Sequence, residues 1–404
     1  MSESPGAPAE TWSAAVASAY DLGRPLRPPV YAARGELGRI WRLDTDTGTW
    51  AVKELLVPVE EHEVRADLAF QRAAAKAGIR LPEPRVTTRG AVLHEGFRVY
   101  AWVDLADGDV VTGRELGAVT AHLHRIGHPA EGPVVPWFAE PLGRTRWESL
   151  LKAATDAARE AGALPTVDAD LDTNTGLGTG TNAGPGTGRD PGLGTGTDPG
   201  LGADAGLDTR AELGLGADAG LDTRAELGTD AGSGADVRLE VGGEAEWGWV
   251  GALGRLLPEL VALDALVVPP GTASLETCHR DVNVENVRRA LDGGVVVLDW
   301  ENCGSARPAW ELAKILADLP LPDAAQAWRA YRDEGGPGVL AEPADFSMAI
   351  AEQGHLLEIY ANRAMSSRES AENRSRARSR LRSMLARPLT IARIDALLAT
   401  RDTT

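Results

Sequence analysis

Cysteine is almost missing from this chain: Cys278 and Cys303 are the only two in 404 residues. That scarcity, with no C-x-x-C pair, excludes a disulfide framework and a cysteine-rich metal module. Both thiols read as small core residues. Long apolar runs are also missing, so no membrane partner is expected. Residues 1–10 carry neither a basic nor an apolar stretch, so no signal peptide is expected, and the expected location is cytoplasmic. Basic excess is missing too, since the net charge is −18. An acidic chain argues against a nucleic-acid partner.

The charge is unevenly spread. From Pro165 to Glu246 there are 16 acids and 4 arginines, a net of −12, which leaves −6 for the rest of the chain. The tract is mostly Gly, Thr, Asp and Ala. Leu201–Gly214 recurs residue for residue as Leu215–Gly228. A perfect tandem copy reads as duplication, not as a packed repeat. Each copy lacks the apolar ridge of a solenoid and the strict nonapeptide spacing of calcium-binding repeats. Residues 165–243 are therefore expected to be a disordered acidic insert.

Outside the insert the pattern is that of a folded enzyme-sized chain. Three strands are expected at 30–33, 39–43 and 49–56, joined by a turn holding Gly35 and Gly38 and by Asp46-Thr47-Gly48. A helix over 60–77 stops at Gly78. Two or three further strands are expected over 86–105. The spacing predicts helices over 10–22, 112–126, 146–161, 247–266, 308–317, 324–331, 346–365 and 369–386. Alternate arginines from Arg374 to Arg382 read as a solvated basic helix surface.

The chemistry concentrates between His279 and Glu301. His279-Arg280-Asp281 is followed by Asn286, five positions after Asp281. A turn at Asp292-Gly293-Gly294 leads into the apolar strand Val295–Leu298, which ends on Asp299. Phosphoryl transfer needs this set. One carboxylate orients the attacking hydroxyl and accepts its proton, while an amide oxygen and a second carboxylate hold magnesium against the nucleotide phosphates. H-x-D-x-x-x-x-N with a following strand-end acid is a specific signal. Asp281 is thus the candidate catalytic residue, and Asn286 and Asp299 are the candidate metal ligands. A bare carboxylate at the end of an apolar strand is costly unless a cation meets it. Glu301, two residues on, is a secondary candidate.

The chain resembles the aminoglycoside phosphotransferase family, the small-molecule branch of the protein-kinase-like fold. The resemblance runs from about Val30 to Tyr360 without the insert. It rests on Trp50-Ala51-Val52-Lys53-Glu54, Tyr100-Ala101-Trp102-Val103-Asp104-Leu105, His279 to Asn286, and Leu298-Asp299-Trp300-Glu301-Asn302. It implies an α+β, bilobal fold with an antiparallel-sheet N-lobe and a mainly helical C-lobe. The expected divisions are 1–29, an N-lobe at 30–105, the first part of the C-lobe at 106–164, the insert at 165–243, and the rest of the C-lobe at 244–404. The implied substrates and cofactors are ATP, Mg2+ and a small-molecule acceptor with a hydroxyl group.

Residue by residue, the resemblance turns Lys53 toward the α- and β-phosphates. Asp67 stands where the family has a glutamate partner for that lysine, and Glu63, one turn earlier, is the substitute. Gly35 and Gly38 would drape over the phosphates. The backbone at Ala101, Trp102 and Val103 would meet the adenine. His279 would brace the loop. Arg280 departs from the family's common glycine. Only eight residues separate Asp299 from Pro308, which leaves no protein-docking segment and favours a small acceptor. Helices after Trp310 and the segment around Trp137 are expected to line its pocket, with Glu311, Glu352 and Glu358 as amine-binding candidates. The competing class is an inactive nucleotide-binding scaffold on the same fold. The shortened Asp67 and the minimal glycine turn favour it, and the intact Lys53, Asp281, Asn286 and Asp299 oppose it.

Overall fold

The computed structural model describes residues 9–34, 38–164, 242–271 and 275–400. The expected disorder of the insert, and Gly35, lie outside the described residues. Helix α1 (Ala9–Ala19) precedes strands β1 (Val30–Arg34), β2 (Gly38–Thr45) and β3 (Gly48–Leu55), helix α2 (Glu61–Lys76) and strand β4 (Phe97–Ala101). The strands form one antiparallel sheet in the order β1-β2-β3-β4. Strand alternation sorts its two faces. Leu43, Val52 and Val99 are buried with Val16, Tyr20 and Leu22, so α1 covers one face. Trp12 stacks on Phe97 with ring centroids 4.8 Å apart. On the other face Lys53 lies opposite Ile40 and Arg98.

Of the two or three strands expected over 86–105, β4 is formed and a further strand begins only at Leu105. Residues 83–85 do run beside β4, where Arg85 N–H donates to Val99 O at 2.8 Å and Ala101 N–H to Glu83 O at 2.8 Å. Residues 86–96 turn instead of extending: Gly90 N–H donates to Thr87 O at 2.8 Å and Phe97 N–H to His94 O at 2.8 Å, with positive φ at Gly90, Glu95 and Gly96.

The second lobe contains β5 (Leu105–Val110), α3 (Gly113–His124), α4 (Pro136–Ala139), α5 (Arg144–Glu160) and α6 (Gly242–Asp264). It continues with β6 (Glu276–Cys278), β7 (Val287–Ala290), β8 (Val295–Val297), β9 (Gly304–Ala306), α7 (Pro308–Asp318), α8 (Leu321–Asp333), α9 (Ser347–Met365), α10 (Ala371–Ala386) and α11 (Ile391–Ala399). Short α4 and the β6–β9 pair lie outside the sequence expectations, because three- and four-residue elements carry no readable period; the nine-residue α11 is a further helix beyond those expected.

Thr112 and Glu115 form a reciprocal capping box that starts α3. The α3–α8 contact is so close that a Cβ on Gly117 would sit 2.0 Å from Ala327 O. Trp147, Leu150 and Ala154 of α5 share a core with Trp249, Leu253 and Leu260 of α6. The helices flanking the insert therefore pack directly on one another. Arg378 of α10 pairs with Glu246 and lies over Trp247, so that arginine ties α10 to α6 instead of forming a purely solvated surface. No described helix is long and apolar enough to cross a membrane.

Candidate active site

The loop between β6 and β7 carries His279 to Asn286, and the β7–β8 hairpin returns the chain to Asp299. Backbone and ring bonds lace these segments together. Leu298 N–H donates to Asn286 O at 2.7 Å, and His279 Nε2 lies 3.1 Å from Leu298 O. The His279 ring also meets Trp300 edge-on at 4.9 Å. Burial lowers the His279 pKa, as suits a neutral bracing imidazole.

Asp281 is 2 % exposed. Its Oδ1 accepts from Asn283 Nδ2 at 2.9 Å, and its Oδ2 from Asn286 Nδ2 at 2.8 Å and Asn302 Nδ2 at 3.4 Å. Burial pushes the Asp281 carboxyl well above the usual range; nearby Lys314 opposes that rise, while Asp299 adds to it. Asp299 has left-handed backbone angles, φ 55° and ψ 67°. A non-glycine residue there costs about 1–2 kcal/mol, and such strain gathers at functional sites. The turn aims the Asp299 carboxylate at β3, where Lys53 Nζ lies 3.0 Å from Oδ1. Glu301 Oε2 is in closer contact with the same ammonium. Burial works against the Lys53 charge, but Asp299 and Glu301 outweigh it and raise its pKa.

The expected partners of Lys53 need correction. Lys53 is held by Asp299 and Glu301. Asp67 meets Arg98 Nη1 at 3.4 Å, and Arg98 also lies 3.5 Å from Glu301. The reason is reach. An aspartate on α2 is one methylene shorter than a glutamate. Arg98 stands beside Lys53 across the β3–β4 register and extends a longer base to meet it. Glu63 lines a cavity beside α2. Gly38 sits where a Cβ would come within 2.9 Å of Lys53 Cε and of Glu54 O, so its lack of a side chain leaves room for the lysine stem.

At the hinge, Ala101 N–H is taken by Glu83 O and Trp102 N–H by Thr49 O at 3.1 Å. Arg42 lies over the Trp102 ring at 5.2 Å. Two of the three backbone N–H groups at the expected hinge are thus engaged by neighbouring backbone carbonyls.

The suggested acceptor acids are also rearranged. Glu311 is fully buried, with His124 Nε2 2.7 Å from its Oε2 and the Arg280 backbone N–H donating to its Oε1. Burial alone would raise its pKa, but the His124 contact and that N–H outweigh it and hold the carboxyl below its usual range. Glu358 forms an ion pair with Arg146. Glu352 is buried and lies 3.5 Å from Lys314.

Arg280, the residue after His279, adopts φ 64°, which explains why glycine would suit this position. Its guanidinium compensates. Nε donates to Asn302 O at 2.5 Å, Nη2 to Cys303 O at 3.1 Å, and the group lies 4.4 Å over Phe138. Beside it a cavity of about 260 Å³ opens between α2 and the segment leading to α4, lined by Glu63, Glu131, Trp137, Phe138, Arg280 and Asn302. Cys278 is buried and Cys303 half-buried, and burial raises the pKa of both thiols.

A lysine-bearing sheet over a helical lobe, with two loops of acids and amides meeting between them, defines a kinase-like architecture. The chain matches the phosphotransferase enzyme family over residues 202–344. Among solved structures it is similar to a spectinomycin phosphotransferase complexed with ADP and spectinomycin. That likeness has a TM-score of 0.57 at 11% identity and covers 98% of this chain and 99% of that one. The AMP-bound complex of spectinomycin phosphotransferase gives a TM-score of 0.51 at 10% identity, covering 98% and 99%. A choline kinase from Streptococcus pneumoniae gives 0.45 at 11% identity, covering 93% and 98%. No curated protein matches. The kinase-like fold read from the sequence is borne out by these likenesses, and the family resemblance by the match over residues 202–344.

Proposed function

We propose that the protein transfers the γ-phosphoryl group of ATP to a hydroxyl of a small molecule, with magnesium. The observation that carries this is the meeting of Lys53 from the sheet with Asp299, next to the loop that presents Asp281 and Asn286. In this reading the acceptor oxygen bonds to the γ-phosphorus as the bond to the bridging oxygen breaks. ADP leaves with that electron pair, and the hydroxyl proton passes to Asp281. The transition state is loose, so positioning and charge compensation carry most of the rate.

The Asn286 amide and the Asp299 carboxylate are hard oxygen donors close to a buried lysine, which fits magnesium. Magnesium would supply neutralisation of phosphate charge. Lys53 would exchange part of its contact with Asp299 and Glu301 for phosphate oxygens. Val103 is the hinge residue whose N–H would meet the base, since those of Ala101 and Trp102 already donate to Glu83 O and Thr49 O. The cavity beside α2 would receive the acceptor, because Asn302 lines it and also bonds Asp281. Its glutamates suit an acceptor that carries an amine.

Thermal-shift titration with Mg-ATP tests the reading, followed by amino sugars, choline-like amines, macrolides and sugars added on top. A nucleotide shift that disappears in Asp299→Ala, with ADP release lost in Asp281→Ala, is the expected result. Folded protein that shows no shift with nucleotide would refute it in favour of an inactive scaffold.

A further inference from the structure

Lys314 has no part in the reading so far. It stands on α7 among buried apolar residues, between Ala313 and Ile315. Its ammonium lies 3.8 Å from Asp281 Oδ1, 3.5 Å from Glu352 Oε1 and 3.7 Å from Asp318 Oδ2. The lysine side chain is 6 % exposed and that of Asp281 2 %. Lysine is almost never buried unless it is paired.

Stability does not account for this arrangement. A buried ion pair is commonly no better than apolar residues of the same volume. The partners of Asp281 are more informative. Three neutral amides, from Asn283, Asn286 and Asn302, bond its two oxygens. Lys314 adds a full positive charge on the Oδ1 edge, and Glu352, reaching in from α9, holds that charge in place.

We propose that Lys314 is a positioning residue for phosphoryl transfer: anchored by Glu352, it fixes the Oδ1 edge of Asp281 and offsets the negative charge that gathers as a phosphate approaches. The inference rests on the phosphotransferase reading of the site. Lys314 acts through Asp281 and needs no contact with the acceptor.

The test uses the full-length protein, with Lys314→Met, Glu352→Gln and the double variant. Urea unfolding and the kcat and KM for ADP release from Mg-ATP, with water as acceptor, are measured for each. Lys314→Met leaves the Glu352 carboxylate buried beside an apolar side chain, so this variant is expected to lose stability. The double variant exchanges the pair for neutral side chains of similar size and is expected to recover the wild-type urea midpoint. Its kcat is expected to stay about 100-fold below wild type, as a misplaced reacting group can cause, with the KM for ATP within about twofold. Should Lys314→Met fail to fold, the double variant alone carries the test. A double variant that regains both stability and kcat overturns the inference and makes the pair a packing device. Wild-type protein that neither binds nor turns over ATP overturns the phosphotransferase reading, and the inference with it.

Discussion

Replacing Glu311 with alanine tests how the catalytic loop is held. The Glu311 side chain is fully buried and serves two donors, the Arg280 backbone N–H and the His124 ring at 2.7 Å. Alanine leaves both without an acceptor, in a region closed to water. Each orphaned polar group costs about 1–3 kcal/mol. A loss of about 3–5 kcal/mol is therefore expected, a large share of the roughly 5–15 kcal/mol that typical domains possess. In a lobe of this size that lowers Tm by on the order of 10 °C. Glutamine keeps an acceptor for Arg280 N–H and is expected to cost roughly a third as much. Because Arg280 adjoins Asp281, kcat should fall in the alanine variant even where it remains folded.

The pH dependence of Glu311 has a definite sign. Its folded pKa lies below the unfolded carboxylate value, so the native state binds fewer protons at low pH. This contribution is full above about pH 4.3 and is lost as pH falls through the lower folded value. Urea unfolding from pH 7 downward should therefore show an acid loss that is smaller in Glu311→Gln. An alanine variant within 1 kcal/mol of wild type, read as about 1 kcal/mol by extrapolation from urea, would refute the claim that this carboxylate braces the loop.

Further outcomes follow from other residues. Lys53→Met should weaken ATP binding measured by calorimetry while the urea midpoint moves little, since Glu301 retains Arg98 and Asp299 remains partly exposed; undiminished affinity would remove Lys53 from the nucleotide site. Arg280→Ala should be less stable than Arg280→Gly by about 1 kcal/mol, because both lose the guanidinium contacts and only glycine relaxes the φ of 64°; the reverse order in urea would contradict the strain argument. Gly117→Ala should cost about 1–3 kcal/mol through the clash with Ala327 O, read as a drop in Tm. Burial pushes Glu352 up to about 7 against the opposing Lys314, so the native state binds more protons and stability should decline as pH rises from the usual carboxylate range toward that value; Glu352→Gln should flatten this slope in urea titrations.

Much of the site was legible because its residues carry spacing. Asp281, Asn286 and the strand-end Asp299 lie in one short stretch, and only a few backbone paths can join them. The order of sheet, helix and helical lobe followed from alternation and helical period in the same way. The shortfall of strand over 86–105 has a local cause, since Gly90, Glu95 and Gly96 take positive φ and fold the chain into turns there.

The missed interactions have a different origin. Whether Asp67 meets Lys53 or Arg98 depends on one methylene and on which base stands beside Lys53 across β3 and β4. That register is set by the whole sheet and cannot be read from either segment alone. Arg280 shows the limit more sharply. The sequence shows an arginine where the family has glycine, but not that its φ is 64°, nor that Asn302 O, Cys303 O and Phe138 hold its guanidinium. Lys314 and Glu352 are 38 positions apart on helices whose charged residues would ordinarily face water. Only the packing of α7 against α9 makes that pair internal and sets it beside Asp281. In a helical lobe, period reveals which face is buried. A charge placed on that face breaks the pattern, so a lysine within an apolar helix such as Leu312-Ala313-Lys314-Ile315-Leu316 is a signal that could have been taken from the sequence before any coordinates.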